Sequence, residues 1–189
     1  NIFNNMNNSI NTNIEKSDWG SGYNNSLLYL RNKKFHDVLI VFNSYMDLIK
    51  QKDFEIDKIN IMNIIKVYTK FFDEIYKKKI NIIFNLFDNI QSFELEDISY
   101  KNKLIIDKLN SKLIKIAKLY KNIIIINPIS NFNKVGLSSN VDERNWNFYG
   151  NLFNLEQSIM IAYNYSIAFR SFYGSTKKLL LLDLDNTLW

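Results

Sequence analysis

Apolar positions along the chain follow two alternating patterns, which are short runs and longer stretches of helical period. The short runs predict strands over residues 37–42, 80–85, 123–127 and 179–183. The longer stretches predict helices near residues 57–78, 100–120 and 155–172. Because the predicted strands are apolar on both faces, the pattern favours an α/β fold, a three-layer sandwich with a mainly parallel sheet between helices.

The first two predicted helices each have an apolar face. In the first helix this face comprises Ile61, Ile64, Ile65, Tyr68, Phe71, Phe72 and Ile75. In the second it comprises Ile105, Leu109, Leu113, Ile116 and Tyr120. The third begins at a capping-box pattern, Asn154 with Gln157 three residues later, and Gly174 marks its end.

Composition excludes several classes of site. The 189 residues include no Cys, so a disulfide scaffold, a thiolate metal site and a cysteine nucleophile are excluded. The single histidine, His36, precedes a predicted strand and is interpreted as structural, and no site can use two imidazoles. No apolar run is long enough for a membrane span. The absence of Cys fits a reducing compartment, and we predict a cytoplasmic protein.

The net charge of +5 comes almost entirely from lysine. The densest basic run, Lys77–Lys79, falls where a helix is predicted to end, and cations there suit the helix dipole. This distribution is typical of a solvated helix surface, and we predict no nucleic-acid partner.

The polar residues with the clearest chemistry follow the last apolar run, Leu179–Leu182. Asp183 and Asp185 are two positions apart, so an extended backbone points both side chains to one side, at the carboxyl end of a predicted strand. Two carboxylates about 5 Å apart repel by roughly 3 kcal/mol at an effective dielectric constant near 20, and a Mg²⁺ ion would relieve this repulsion. Asp183 could then attack phosphorus, with Asp185 as general acid and base. The alternative is an acidic turn after a strand, since Asp, Asn and Thr187 are ordinary turn residues.

These residues also resemble a known family. The segment LLLLDLDNTLW, residues 179–189, resembles the first motif of the haloacid dehalogenase (HAD) superfamily, and most closely its FkbH-like branch, subfamily IIIC. An upstream D-x-R-x-W segment with Asp142, Arg144 and Trp146 is similar to that branch, as is the basic link Lys177-Lys178. The resemblance implies an SGNH-like, flavodoxin-like α/β domain over residues 1–175. It also implies the first strand of a truncated HAD Rossmannoid domain over residues 176–189.

The resemblance implies a Mg²⁺-dependent enzyme that acts on a phosphorylated small molecule through an aspartyl-phosphate. Relatives are phosphatases, or load a glyceryl group on an acyl carrier protein for polyketide biosynthesis. It further implies that the Asp183 side chain and the Asp185 backbone carbonyl hold the metal. Thr187 and Arg144 are the candidate substrate-binding residues, although Thr187 also shapes the turn and Arg144 could simply fix its loop with Asp142. The other HAD motifs are absent, so we expect a fragment that is inactive alone.

Two alternatives remain open. An SGNH-type esterase needs a Gly-Asp-Ser nucleophile, which the sequence lacks, and the residue three after Asp142 is Asn145 instead of His. A non-catalytic module could instead use its lysines to dock an acidic carrier protein, and exposed aromatic residues beside a lysine cluster would favour this alternative. We also expect the Leu179–Leu182 run either to pack poorly or to use the surface of the preceding domain.

Overall fold

The computed structural model describes residues 38–45, 48, 58–88, 96–130, 132 and 153–173. They include the first three predicted strands and all three predicted helices. The fourth predicted strand, over residues 179–183, lies outside the described residues, as does the proposed boundary between two domains near residue 175.

The described elements alternate between strand and helix in the predicted order. They are β1 (Val38–Val41), α1 (Lys58–Lys78), β2 (Asn81–Asn85), α2 (Glu96–Ala117), β3 (Ile123–Ile126) and α3 (Leu155–Phe172). The strands form one parallel sheet in the order β1-β2-β3. The structure therefore confirms an α/β fold with a parallel sheet.

Strand β2 lies at the centre of this sheet and is its most buried strand. Ile82, Ile83 and Phe84 are fully buried, because β2 has a hydrogen-bonded neighbour on each side. The run at residues 37–42, predicted as a strand that is apolar on both faces, is only partly buried, because Ile40 and Phe42 are 40% and 42% exposed. Among the described strands β1 has one neighbour, so one flank of its side chains is less covered.

Helices α1 and α2 pack against each other on one face of the sheet. The contact between α1 and the sheet is aromatic. The ring of Phe84 lies 5.0 Å from that of Tyr68 and 5.1 Å from that of Phe72, with nearly perpendicular planes. Edge-to-face geometry of this kind adds about 0.5–1.5 kcal/mol per pair beyond the burial of area. The predicted apolar face of α1 is thereby confirmed.

The predicted limits and apolar face of α2 need small corrections. The helix begins at Glu96 and ends at Ala117, so both ends lie a few residues earlier than expected. Its buried positions are Asn102, Ile106, Leu109, Leu113 and Ala117. Ile105 and Ile116 flank this face and are only partly buried. Leu104, Ile105 and Ile106 are consecutive apolar residues, so the sequence alone did not show which of them lies at the centre of the buried face.

Two helix ends follow from local sequence chemistry. Lys79 adopts a left-handed backbone conformation (φ 57°), and the N–H of Ile80 donates to the carbonyl of Ile75 at 3.2 Å, which closes α1. The capping box at the start of α3 is confirmed. The backbone N–H of Gln157 donates to Asn154 Oδ1 at 2.9 Å, and the N–H of Asn154 donates to Gln157 Oε1 at 3.0 Å.

Helix α3 packs against β2 and β3 on the other face of the sheet. Side chains alternate along a strand, so Phe42 lies on the side of Ile40 and opposite to that of Val41, which pairs with Phe84. The ring of Phe153, just before α3, contacts the ring of Phe42 at 6.2 Å. Of the helices that the structure describes, none has the length and apolar character needed to cross a membrane.

Candidate functional site

The four site residues predicted from the sequence all lie outside the described residues. They are Asp183, Asp185, Thr187 and Arg144. Their roles in catalysis, Mg²⁺ binding and substrate binding therefore stay predictions. Within the described part of the chain, no group of three or more His, Cys, Asp or Glu side chains is placed to hold a metal ion.

A buried polar cluster occupies the carboxyl ends of β1 and β2. Asn43 and Ser44 follow β1, Asn85 ends β2, and Asp88 lies three residues further on. All four side chains are at most 2% exposed. This cluster was not predicted, because only Asp183 and Asp185 were assigned to the carboxyl end of a strand. The signal was present, because polar residues directly follow two buried strands.

The two asparagines join the strand ends. The side-chain amide of Asn43 donates to the carbonyl of Asn85 at 2.5 Å, and that of Asn85 donates to the carbonyl of Asn43 at 3.1 Å. The hydroxyl of Tyr68, on α1, donates to Asn43 Oδ1. These bonds continue the parallel pairing of β1 and β2 beyond their last ladder residues, and they connect it to the helix layer.

Asp88 holds the loop that leaves β1. The backbone N–H of Tyr45 donates to Asp88 Oδ1 at 2.5 Å, and the Ser44 hydroxyl lies 3.3–3.4 Å from both carboxylate oxygens. Because the carboxylate is fully buried, these donors compensate for part of its lost hydration. The contacts hold Ser44 and Tyr45, just after β1, against the segment that follows β2.

Two buried polar atoms beside this cluster have no hydrogen-bond partner among the described residues, namely Asn85 Oδ1 and the hydroxyl of Tyr165 on α3. Burial raises the pKa of Tyr165 far above its ordinary value, and the negative charge of Asp88 raises it further. Tyr165 therefore keeps its proton at any physiological pH.

The chemistry of the cluster is structural. The hydroxyl of Ser44 is buried and donates to a carboxylate, and no imidazole among the described residues can activate it as a nucleophile. The amide of Asn43 is buried and bonded within the protein, so it is not an available oxyanion donor. The cluster thus gives the esterase alternative no support.

A second feature lies at the opposite edge of the sheet, where α1 and α2 end. We call it the basic edge, and it comprises Lys77, Lys78, Lys79, Lys115, Lys118 and Lys121, all exposed. The side chain of Asn122 donates to the carbonyl of Ile80 at 2.6 Å, and the N–H of Ile82 donates to the carbonyl of Asn122 at 2.8 Å. These bonds hold the two helix–strand connections side by side, so their lysines form one surface.

Exposed apolar groups lie within the basic edge. Tyr76 is 51% exposed and Leu119 is 77% exposed. The ring of Tyr76 contacts that of Tyr120 at 5.6 Å, and the Tyr120 hydroxyl donates to Asp73 Oδ1 at 2.5 Å. Partial burial and this bonded, negatively charged carboxylate raise the pKa of Tyr120 to about 12. The basic edge is therefore a positively charged surface with an apolar, aromatic centre.

Comparisons with known proteins identify a shared fold. No protein-family model matches the chain. No curated protein matches its sequence. Among solved structures, the chain is similar to the N-terminal part of the protein BF1531 from Bacteroides fragilis, a crystal structure described as containing a phosphatase domain complexed with Mg. The TM-score is 0.72 and the sequence identity is 20%.

The extent of this similarity differs between the two proteins. It covers 100% of this chain and 52% of the BF1531 chain, so this chain spans about half the length of the solved structure. The similarity extends through the described α/β elements, which agree with the fold expected from the sequence. At 20% sequence identity, this similarity is evidence about the fold alone.

Proposed function

We propose that this chain belongs to a HAD-type, Mg²⁺-dependent phosphatase or phosphoryl-handling enzyme of the FkbH-like kind. The observation that carries the proposal is the D-x-D-x-T sequence at Asp183, Asp185 and Thr187, directly after an apolar run and at the end of an α/β chain. The similarity in fold to a protein that contains a Mg-bound phosphatase domain supports it independently of the motif.

In this proposal the α/β domain formed by β1–β3 and α1–α3 precedes the catalytic domain, which begins at the Leu179–Leu182 strand. Asp183 attacks the phosphorus of the substrate, and its carboxylate oxygen forms an acyl phosphate as the leaving oxygen departs. Asp185 protonates that oxygen and then takes a proton from the water that hydrolyses the acyl phosphate. Mg²⁺, when bound, neutralises charge between carboxylate and phosphate.

The experiment is phosphate release from small phosphorylated acids by the full-length protein with Mg²⁺. Asp183→Asn keeps the size of the side chain and removes its charge, so activity should be abolished. Asp185→Asn should lower turnover by about 10²–10⁴-fold, because it removes a general acid and base. Asp107→Asn, on the exposed surface of α2, is the matched control and should keep full activity. Near-normal activity of Asp183→Asn would contradict the proposed nucleophile.

A role in docking an acidic acyl carrier protein is a second candidate, and the basic edge favours it. Exposed Tyr76 and Leu119 among lysines give an apolar centre with a positive rim, which is the general arrangement of a protein-binding surface. An acidic partner would be steered towards these charges, so its binding should weaken as salt concentration rises. In this candidate role the carrier would be the acceptor protein that the resemblance of residues 179–189 implies.

Charge reversal tests the docking role. Lys79→Glu combined with Lys121→Glu should weaken binding of an acidic carrier protein several-fold in calorimetric titrations at low salt. Lys103→Glu combined with Lys108→Glu changes two exposed lysines elsewhere on α2 and alters the net charge by the same amount, so it is the matched control and should have a smaller effect. Equal effects of the two changes would show that only net charge matters and would contradict a specific surface. Binding of RNA in place of the carrier protein would contradict the choice of partner.

A further inference from the structure

The outer surface of α3 carries a continuous apolar ridge. Its members, which we call the α3 ridge, are Leu155, Ile159, Tyr163 and Ile167. Residues four positions apart form one ridge on a helix surface. Their side chains are 71%, 38%, 52% and 44% exposed in chain order. Helix α3 contains no lysine, and its basic residue, Arg170, lies in the last turn and is not part of the ridge.

The corresponding ridges of the other helices turn polar after one or two apolar residues. On α1 the exposed Met62 is followed at four-residue spacing by Lys66 and Lys70. On α2 the exposed Leu104 is followed by Lys108 and Lys112. The α3 ridge keeps its apolar character through four positions, and this is typical of a surface that is covered by another part of the molecule.

We propose that the α3 ridge is the docking surface for the chain segment that follows α3, led by the apolar run Leu179–Leu182. Contact of the run with an apolar surface is favourable, because each leucine side chain that is removed from water contributes about 1.5–3 kcal/mol. It follows the ridge closely in sequence, so the local concentration of the run at α3 is high.

The segment is long enough to reach the ridge. Residues 173–178 can span about 20 Å at roughly 3.3 Å per residue. Ile167 and Tyr163 lie about 8 Å and 14 Å back along the helix axis from Phe172, at 1.5 Å per residue. The sequence Gly174-Ser175-Thr176 is rich in turn-forming residues, which suits a reversal of the chain after α3. The run can therefore contact the second half of the ridge.

Photo-cross-linking in the 189-residue chain tests this proposal. A benzophenone amino acid replaces Tyr163, or in the control Tyr100, which is 63% exposed on α2. Trypsin cleaves after Lys177 and Lys178, so the run is recovered in the peptide of residues 179–189. We expect several-fold more cross-linking to this peptide from position 163 than from position 100. Leu181→Ser with Leu182→Ser should remove the excess.

The readout also separates other occupants of the ridge. Mixed isotopically light and heavy chains distinguish a cross-link within one molecule from a cross-link between two copies. Cross-links from position 163 to residues 1–37, or to a second copy, would overturn the proposal. Equal yields from positions 163 and 100 would overturn it as well. The outcome does not depend on phosphatase activity, so failure of the proposed function would leave the cross-linking result unchanged.

Discussion

The two helix layers of the sheet differ in how they meet solvent. The layer of α1 and α2 covers one face of the sheet, with Tyr68 and Phe72 packed against Phe84 of β2. The exposed ridges of both helices continue into lysine residues. The α3 layer covers β2 and β3 but keeps an apolar ridge on its outer side. The outer side of the first layer therefore presents charged side chains to solvent. The outer side of the α3 layer instead presents apolar side chains, which is typical of a surface that binds another part of a protein.

The number of apolar sides therefore differs between the helices of the two layers. For α1 and α2, the apolar stripe marks the single side that faces the sheet. For α3, apolar residues occur on both the inner and the outer side. Apolar residues on two sides are typical of a helix that packs between two partners, and among the described residues the sheet covers one side of α3.

The largest effect is expected at the aromatic seal under α1. Phe84→Ala should lower the free energy of unfolding by about 3–5 kcal/mol, because it leaves a cavity beneath the rings of Tyr68 and Phe72. Urea unfolding of purified protein measures the change. A loss below about 1 kcal/mol would show that the α1 layer is not tightly packed, which would break the contrast with α3.

The buried carboxylate at the end of β2 should come next. Asp88→Ala leaves the N–H of Tyr45 and the hydroxyl of Ser44 without their acceptor, at a cost of about 1–3 kcal/mol for a buried unsatisfied group. The same denaturation experiment measures it. Asp107→Ala, an exposed change on α2, is the control and should shift stability by no more than about 0.5 kcal/mol. Equal effects would mean that Asp88 is solvated.

The start of α3 offers a test confined to the second layer. Asn154→Ala removes the side-chain acceptor of the capping box and should cost about 1 kcal/mol. Asn154→Gly should cost only a few tenths of a kcal/mol, because glycine is tolerated at this position. Thermal unfolding of both variants gives the ranking. If alanine proves as stable as asparagine, α3 does not depend on this cap.

Tyr120 gives a pH-dependent test of the first layer. Its pKa is raised from about 10 to about 12, so the protonated hydroxyl stabilises the folded state below pH 10, and this contribution is lost as the pH rises through 12. The stability difference between the natural chain and Tyr120→Phe should therefore narrow over that interval. The effect is small, since the bond to Asp73 is exposed to solvent. The stability difference between the natural chain and Asp73→Asn should narrow over the same interval, but by less, because Asp73 causes only part of the raised pKa. A stability difference between the natural chain and Tyr120→Phe that stays constant with pH would contradict the raised pKa of Tyr120.

The smallest effect is expected on the outer side of α1. Met62→Gln replaces a 63% exposed side chain by one of similar helix propensity, so stability should change by no more than about 0.5 kcal/mol. Chemical denaturation measures this change too. A larger loss would show that Met62 is covered, and that the outer side of α1 is no more solvated than the α3 ridge.

Much of the fold could be predicted from the sequence, because each element carries a strong local pattern. The spacing from Ile64 to Ile75 allows only a helix, and Asn154 with Gln157 defines the start of α3. The face of α2 was displaced by one position, because Leu104, Ile105 and Ile106 are consecutive apolar residues. Which of them is buried depends on packing against α1, and helical period alone does not contain that information.

The polar cluster was harder to predict for a physical reason. About forty residues of sequence separate Asn43 from Asn85 and Asp88. These side chains come together only when β1 and β2 pair in the sheet. Asp183 and Asp185 were easy to select, since they are close in sequence and follow one strand. Local spacing thus identifies a motif within one loop, while a cluster assembled from two strand ends requires the register of the sheet.

The central claim is that Asp183 carries a phosphoryl group during turnover, and the direct measurement is to locate that group. The full-length Asp185→Asn protein, incubated with substrate and Mg²⁺ and quenched in acid, should accumulate the acyl phosphate because its hydrolysis is slow. Borohydride reduces an aspartyl-phosphate to homoserine, which mass spectrometry can assign to one position. The account predicts homoserine at position 183. Phosphate release without homoserine there, or with homoserine at another aspartate, would contradict it.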